Sequence, residues 1–249
     1  MEEEKHVYHH PVEHSEGVHA VHTPQKSHFS TLHWVLLAVF AAVLLFNQWQ
    51  VGAFQTGSSS FFGSSGDVDL SSVDVTQIHS TAQGIALLFP VGDIKTDQDA
   101  ISVMIPTGTP AYGDAMGVSF DDPIGAENSL AAGYPALKAQ AKQDAAVWDR
   151  YIALAAAPRG ISCEFCCGVG AQGISSDGSL RCGCAHNPAV QALTLWLMMN
   201  TDYSDAEILK EVYKFKTLWF PKNMVGLALQ IAGGDSSVLS QLPGQVGGC

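Results

Sequence analysis

The chain has 249 residues, of which 14% are charged and 47% are hydrophobic, and its formal net charge is −12. The 24 acidic residues outnumber 12 basic ones, which argues against binding to nucleic acid because phosphate backbones need clustered Lys and Arg. The length accommodates one substantial domain with additional segments.

Residues 1–28 are rich in histidine and acidic residues and have no apolar period. This composition is typical of a disordered segment. Imidazole is a good ligand for zinc, copper and nickel, so the tail could hold a metal ion loosely. The irregular spacing fits equally a solvated tail with no specific role. The histidines are His6, His9, His10, His14, His19, His22 and His28.

Residues 29–54 contain no Asp, Glu, Lys or Arg, and Trp34 to Phe46 is continuously apolar. A helix of about 20 mostly apolar residues spans a bilayer. The segment therefore predicts one transmembrane helix, with the lipid bilayer as its partner. A secretory signal cleaved near Ala53 is the alternative, which the long acidic region before it disfavours.

The distribution of lysines around this segment predicts its orientation. Lys5 and Lys26 precede it, and no basic residue follows until Lys95. Because basic residues are retained on the cytoplasmic side, we expect a single-pass protein of the cell membrane. Its amino terminus would be cytoplasmic and its carboxy-terminal domain extracytoplasmic.

Two segments without a strong helical pattern follow. Residues 55–66 are a Gly/Ser linker. Residues 67–134 alternate partly between apolar and polar side chains, which favours an irregular region with short strands. Within it, the acidic pair Asp121-Asp122 before Pro123 is interpreted as a turn with a helix-capping Asp rather than a cation site.

Residues 135–234 are predicted to form a helical Cys-rich domain, followed by a flexible tail over 235–249. The fold class is therefore mainly α: one transmembrane helix, a partly irregular middle region and a small extracytoplasmic helical bundle with a Cys-rich loop. The helix signals are Pro135 as a first turn with a stop at Pro158, Asn187-Pro188 as a cap, a Ser204–Glu207 capping box, and a helix from Lys222 to Ala232.

Five of the six cysteines lie in this loop together with a histidine, and the sixth, Cys249, ends the chain. A Cys-x2-Cys pair and a second pair from another loop complete a tetrahedral site. Cys163 and Cys166 with Cys182 and Cys184 would be the minimal set. Cys167 and His186 are alternative ligands or ligands of a second metal.

Four thiolates suit zinc, Cu(I) or an iron–sulfur cluster. Copper or zinc is expected rather than the cluster, and the Cys-x-Cys-x-His pattern outside the cytoplasm, in a chain with a His-rich tail, favours copper. We therefore expect metal binding or delivery to a partner protein, rather than catalytic turnover. The candidate ligands are Cys163, Cys166, Cys167, Cys182, Cys184 and His186.

Thiol–disulfide exchange is the second hypothesis, since Cys163 and Cys166 have the spacing of an attacking and a resolving thiol. A third is stapling by structural disulfides, for which the even cysteine count is typical. Against stapling, bridges within residues 163–184 would close only short loops. All three remain open. The chain shows no phosphate loop, no nucleotide fingerprint and no Cys-x-x-Cys-His haem site.

Residues 180–221 also show a partial resemblance to a known family. The matching features are Leu180-Arg181-Cys182, Asn187, the SDAEIL segment from Ser204 and Phe220-Pro221. They resemble the membrane-anchored thiol oxidoreductase subunit of cytochrome c maturation, although this chain has Cys-x-Cys where that family has Cys-x-x-Cys. The resemblance implies a small three-helix domain that reduces a partner's thiols. The cluster also resembles uncharacterised extracytoplasmic proteins with a Cys-x-Cys-Gly-Cys core.

Overall fold

The structure is a computed structural model that describes residues 34–35, 38–42, 68–234, 239 and 241–248. The chain divides into two compact units, Met1–Phe54 and Gln55–Cys249. In the first unit the described residues are helical. The predicted tail over 1–28, the linker over 55–66 and Cys249 lie outside the described residues.

Within the described part of the chain, every helix is too short or too polar to traverse a bilayer. Of the predicted segment 29–54, only residues 34–35 and 38–42 are described, and the rest lies outside. This finding contradicts the predicted single transmembrane helix and the membrane location that was inferred from it.

The middle region is helical, so the short strands predicted for it are wrong. Residues 68–122 contain 3-10 turns and helices α1, α2 and α3, and no strand occurs within 68–234. Their caps explain the outcome: Ser80 accepts a hydrogen bond from the Gln83 N–H, and Thr96 forms a capping box with Asp99. The 3-10 turns are Leu70–Ser72, Val75–Gln77 and Val91–Asp93, and the helices are Thr81–Leu88 (α1), Asp97–Met104 (α2) and Gly113–Met116 (α3).

A single helix was predicted to begin at Pro135. The structure has two helices there instead, Pro123–Ala141 (α4) and Ala145–Ala155 (α5). Asp122 caps α4 by accepting from the Gly125 N–H, so the acidic turn acts as a cap, and Pro135 lies inside the helix. The break comes at Asp144, whose carboxylate accepts from the N–H groups of Ala146 and Val147 and starts α5.

Four further helices complete the described domain: Glu164–Cys167 (α6), His186–Asn200 (α7), Asp205–Trp219 (α8) and Pro221–Ala232 (α9). The capping box of Ser204 and Glu207 is confirmed at the start of α8. Gly233 ends α9 with φ of 75°. The predicted cap at Asn187 is wrong, because α7 begins at His186 and the Asn187 side chain bonds elsewhere.

Helix α7 is the centre of the packing. It lies along α4 and also contacts α5 and α8, while α9 packs on α1, α2 and α8. Because neighbours surround α7, it is buried on nearly every side rather than on one stripe. Its amino-terminal end therefore meets the Cys-rich loop inside the domain. Its buried apolar residues are Ala189, Val190, Ala192, Leu193, Leu195, Leu197 and Met198.

Candidate metal and thiol centre

Four of the predicted ligands come together in the structure. The sulfur atoms of Cys163, Cys167, Cys182 and Cys184 all lie within 4.8 Å of one another. The Sγ–Sγ distances are 3.5 Å for Cys163 and Cys167, 2.9 Å for Cys163 and Cys184, and 3.4 Å for Cys182 and Cys184. Such a group of thiols is suited to a soft metal ion or to disulfide chemistry.

The helical turn α6 selects which of the neighbouring cysteines joins the group. Cys163 caps this turn and Cys167 ends it. Residues four apart in a helical turn share a face, which brings Cys167 to Cys163. Cys166 is outside the group of four. It is half-buried and is not a free thiol, because it forms a disulfide.

The second pair comes from the segment between a tight turn and α7. Ile174 and Leu180 form an antiparallel bridge around the turn that contains Gly178. The chain then runs through Cys182 and Cys184 directly into α7. Cys184 thus lies just before the amino-terminal end of a 15-residue helix, where the Asn187 backbone N–H favours a thiolate.

Two buried amides of α7 hold the loop in place. Asn187 Nδ2 donates to the carbonyls of Gly173 at 3.0 Å and Cys182 at 3.1 Å. Gln191 Nε2 donates to the Ile161 carbonyl at 2.9 Å. Gly173 is needed here because a Cβ would collide with the Ile161 carbonyl and Gln191. These bonds fix both ends of the loop to one rigid helix.

The group combines a disulfide with two thiols. Cys167 and Cys182 are joined by a disulfide, and Cys163 and Cys184 are free. A disulfide sulfur is not a thiolate ligand, so this structure represents the oxidised form of the group. Four ligands are available only when that bond is reduced.

The pKa values of Cys163 and Cys184 are shifted in opposite directions. The hydrogen bond from Cys163 lowers the pKa of Cys184 to about 4, against the effect of burial, and His186 and the Asn187 backbone N–H lower it further. The same hydrogen bond, together with burial, raises the pKa of Cys163. These opposite pKa shifts favour a pair in which Cys163 is the thiol donor and Cys184 the thiolate acceptor, and the two groups titrate together.

A buried lysine lies next to this pair. Lys216 of α8 is fully buried, and its Nζ donates to Thr81 Oγ1, the Gly160 carbonyl and Glu164 Oε1 at 3.0–3.1 Å. Burial lowers the pKa of Lys216, while Glu164 opposes that effect. Because Glu164 opens α6, this ion pair anchors the turn that carries Cys163 and Cys167.

His186 is not one of the clustered ligands but adjoins them. Its side chain hydrogen-bonds Cys184, and its Nε2 lies 2.9 Å from the Val246 carbonyl and 3.4 Å from Glu127 Oε1. Burial is the largest influence and opposes the charged form of His186, but the hydrogen bonds to Cys184 and Val246 together with the charges of Glu127 and Cys184 outweigh it and raise the pKa. His186 and Glu127 are both buried, and burial raises the pKa of Glu127.

Four residues of the site were not predicted from the sequence: Glu127, Asn187, Gln191 and Lys216. Two of them carry a recognisable signal, a charged residue on the apolar face of a helix. Glu127 is in phase with Leu130 and Tyr134 on α4, and all three are buried. Lys216 likewise lies among buried apolar residues of α8, such as Val212 and Phe215. An acid or base in such a place predicts a buried partner.

No protein-family model, curated protein or solved structure matches this chain. The resemblance of residues 180–221 to a thiol oxidoreductase family thus stays a prediction.

Proposed function

We propose that this protein binds one thiophilic transition-metal ion, copper or zinc, through Cys163, Cys167, Cys182 and Cys184 in their reduced form. The observation that carries the proposal is the convergence of four sulfur atoms within 4.8 Å from two separate segments. Four convergent sulfurs are the donor set that zinc and Cu(I) prefer among protein ligands.

The spacing of the sulfurs supports a tetrahedral site. A metal–sulfur distance of about 2.3 Å places tetrahedral sulfurs about 3.8 Å apart. Two of the observed separations, 3.4 Å and 3.5 Å, are close to that value. The disulfide pair and the hydrogen-bonded pair are closer, so reduction and loss of the shared proton would let both pairs move apart around an ion.

The charges around the group also favour bound thiolates. The pKa of Cys184, lowered to about 4, favours its thiolate at neutral pH, so this sulfur can bind a cation without first losing a proton. The N–H groups at the start of α7 and the imidazole of His186 offset its negative charge. Cys163 still has a proton to release, so binding should release protons to solvent.

The exposure of the four cysteines supports exchange of the ion with a partner protein. Cys163 is 1% exposed and Cys182 is 9% exposed, whereas Cys167 lies on the surface. An incoming thiolate from a partner can reach the ion beside Cys167 and displace that ligand first. A site of this kind is suited to handling or delivery of the metal.

Metal analysis of the reduced protein tests the proposal. We expect one equivalent of zinc or Cu(I) after anaerobic reduction and removal of excess metal, and loss of stoichiometric binding in Cys163→Ser and Cys184→Ser. Cys166→Ser is the matched control, since it removes a neighbouring sulfur from outside the group of four, and it should retain the metal. Reduced wild-type protein without bound metal would refute the proposal.

Thiol–disulfide exchange is a second candidate, favoured by the free thiol beside each sulfur of the Cys167–Cys182 disulfide. Cys184 attacks Cys182, forming a Cys182–Cys184 disulfide and releasing Cys167 as an exposed thiolate. Cys167 then attacks a partner disulfide, whose first thiolate leaves. Cys163 resolves the mixed disulfide by bonding to Cys167, and the partner departs as a dithiol. Two protein thiols are oxidised while one partner disulfide is reduced.

Exchange with a chromogenic aryl disulfide, such as 5,5′-dithiobis(2-nitrobenzoate), tests this candidate. In protein containing the Cys167–Cys182 disulfide, mass mapping should find a new disulfide between Cys182 and Cys184. Cys184→Ser should block the release of Cys167, whereas Cys166→Ser should not. If the Cys184→Ser variant forms the same products at the same rate, the exchange sequence is wrong.

A further inference from the structure

A buried acid, a buried histidine and Cys184 form one continuous chain of contacts behind the cysteine group. Glu127 Oε1 lies 3.4 Å from His186 Nε2, and the histidine side chain hydrogen-bonds the Cys184 sulfur. Because Nε2 faces Glu127 and the Val246 carbonyl, the ring presents Nδ1 to the sulfur. Helices α4 and α7 and the Cys-rich loop each supply one member.

The ring of His186 has little freedom to turn. Its centroid lies 5.5 Å from the Trp219 ring and 4.8 Å from the Phe220 ring. The segment 241–248 covers the other side, where Val246 accepts at 2.9 Å and donates its own N–H to the Trp219 carbonyl. Gly247 has φ of 90°, and a Cβ there would collide with Glu127. The surroundings of Glu127 and His186 are therefore closely packed.

The buried carboxyl group of Glu127 destabilises the fold, because one of its oxygens lacks a hydrogen bond. Its side chain is 2% exposed, and its Oε1 has no hydrogen-bond partner among the described residues. A buried acceptor left without a hydrogen bond costs about 1–3 kcal/mol. Among the described residues, His186 Nε2 is the one basic nitrogen within 4.0 Å of the Glu127 carboxylate, at 3.4 Å from Oε1. The position of Glu127 is therefore tied to that of the His186 ring.

We propose that Glu127 and His186 are positioning residues for Cys184. Glu127 and the Val246 carbonyl hold the ring of His186 so that Nδ1 faces the Cys184 sulfur, and this contact fixes the direction of the sulfur toward the ligand group. The inference rests on the proposed metal site. In that site, Glu127 and His186 would not bind the metal themselves but would orient one of its ligands, Cys184. Outer partners of this kind orient the ligands of metal sites.

Binding of Co²⁺ and Zn²⁺ by the reduced full-length protein tests the inference. Glu127→Gln keeps the shape of the side chain but replaces a carboxyl oxygen with an amide NH₂, and we expect about 10- to 100-fold weaker Zn²⁺ binding in competition titrations. We also expect a shift of the thiolate-to-Co²⁺ charge-transfer band, which a purely structural role would leave unchanged. Glu211→Gln is the matched control, because Glu211 is a half-buried acid that bonds Tyr112 and Lys214 instead.

A double-mutant cycle shows whether Glu127 acts through Cys184. In a Cys184→Ser background, adding Glu127→Gln should change the Zn²⁺ affinity by less than about twofold, as expected for an effect that requires the sulfur. His186→Asn keeps an N–H donor near Cys184 but breaks the link to Glu127. In that background too, Glu127→Gln should have less than about a twofold effect.

The outcomes separate the two proposals. If wild-type protein binds Zn²⁺ and Glu127→Gln binds it equally well with an unchanged Co²⁺ spectrum, the positioning role is refuted and the metal site stands. An effect of Glu127→Gln that persists in the Cys184→Ser background also refutes that role. If reduced wild-type protein binds neither ion, the metal site itself fails and the positioning role fails with it.

Discussion

Charged side chains buried on apolar helix faces are the least expected residues of this protein. Lys216 and Glu127 each lie inside a row of buried apolar positions, on α8 and α4 respectively. Isolated buried charges are strongly unfavourable, so each requires a partner from another element. Glu164 pairs with Lys216, and His186 lies beside Glu127. Neither partner is adjacent in sequence, because the pairs are made by tertiary packing.

Removal of the buried lysine should destabilise the domain. Lys216→Met leaves Glu164 without its cation in a site where the carboxylate is only 14% exposed. We expect a loss of about 3 kcal/mol in the free energy of unfolding, measured by denaturant titration. Lys216→Met combined with Glu164→Gln should recover part of that loss, because the unpaired charge is then removed.

Lys214→Met is the control for that substitution. Lys214 sits two residues away and pairs with Glu211 near the surface, with 27% of its side chain exposed. Its loss should cost no more than about 1 kcal/mol. Equal effects of the two lysine substitutions would contradict the importance that we assign to the buried pair.

At the scale of elements, side-chain caps decided where helices begin. The capping box at Ser204 was recognisable in sequence because both its members stand in the required positions. The start of α5 was missed because Asp144 lies within a continuous stretch of good helix formers. Pro135 misled the prediction for a related reason: proline favours a first turn, but the longer helix α4 accommodates it internally.

The cap at Asp144 should make a measurable contribution to stability. Asp144→Ala removes the acceptor for two backbone N–H groups at the start of α5. We expect a loss of about 1 kcal/mol in the free energy of unfolding. Asp144→Asn keeps an acceptor oxygen and should stay close to wild type. A comparable loss in both variants would show that charge, rather than capping, is responsible.

At the scale of the whole molecule, metal binding should couple to stability and to oxidation state. A ligand that binds only the folded protein stabilises it by about 4 kcal/mol at 1,000 times its dissociation constant. Zinc should therefore raise the melting temperature of the reduced protein. It should have little effect when the Cys167–Cys182 disulfide is present, because two of the four ligands are then absent.

Thermal unfolding with and without zinc, in reduced and oxidised protein, measures this coupling. Cys166→Ser should behave as wild type when reduced, since Cys166 lies outside the group. Cys184→Ser should lose most of the stabilisation. Equal stabilisation of reduced and oxidised wild type would place the metal at other residues, such as the amino-terminal histidines.

The sequence by itself determined that chemistry is concentrated in one Cys-rich loop between helices, because cysteine spacing and helix caps are local features. The tertiary structure decided which sulfurs meet. The turn α6 brings Cys167 rather than Cys166 to the group, and α7 keeps His186 behind it as a partner of Cys184. It also supplied Glu127 and Lys216, which lie 36 residues before Cys163 and 32 residues after Cys184. Such contacts depend on how helices pack, and local sequence patterns do not specify that packing.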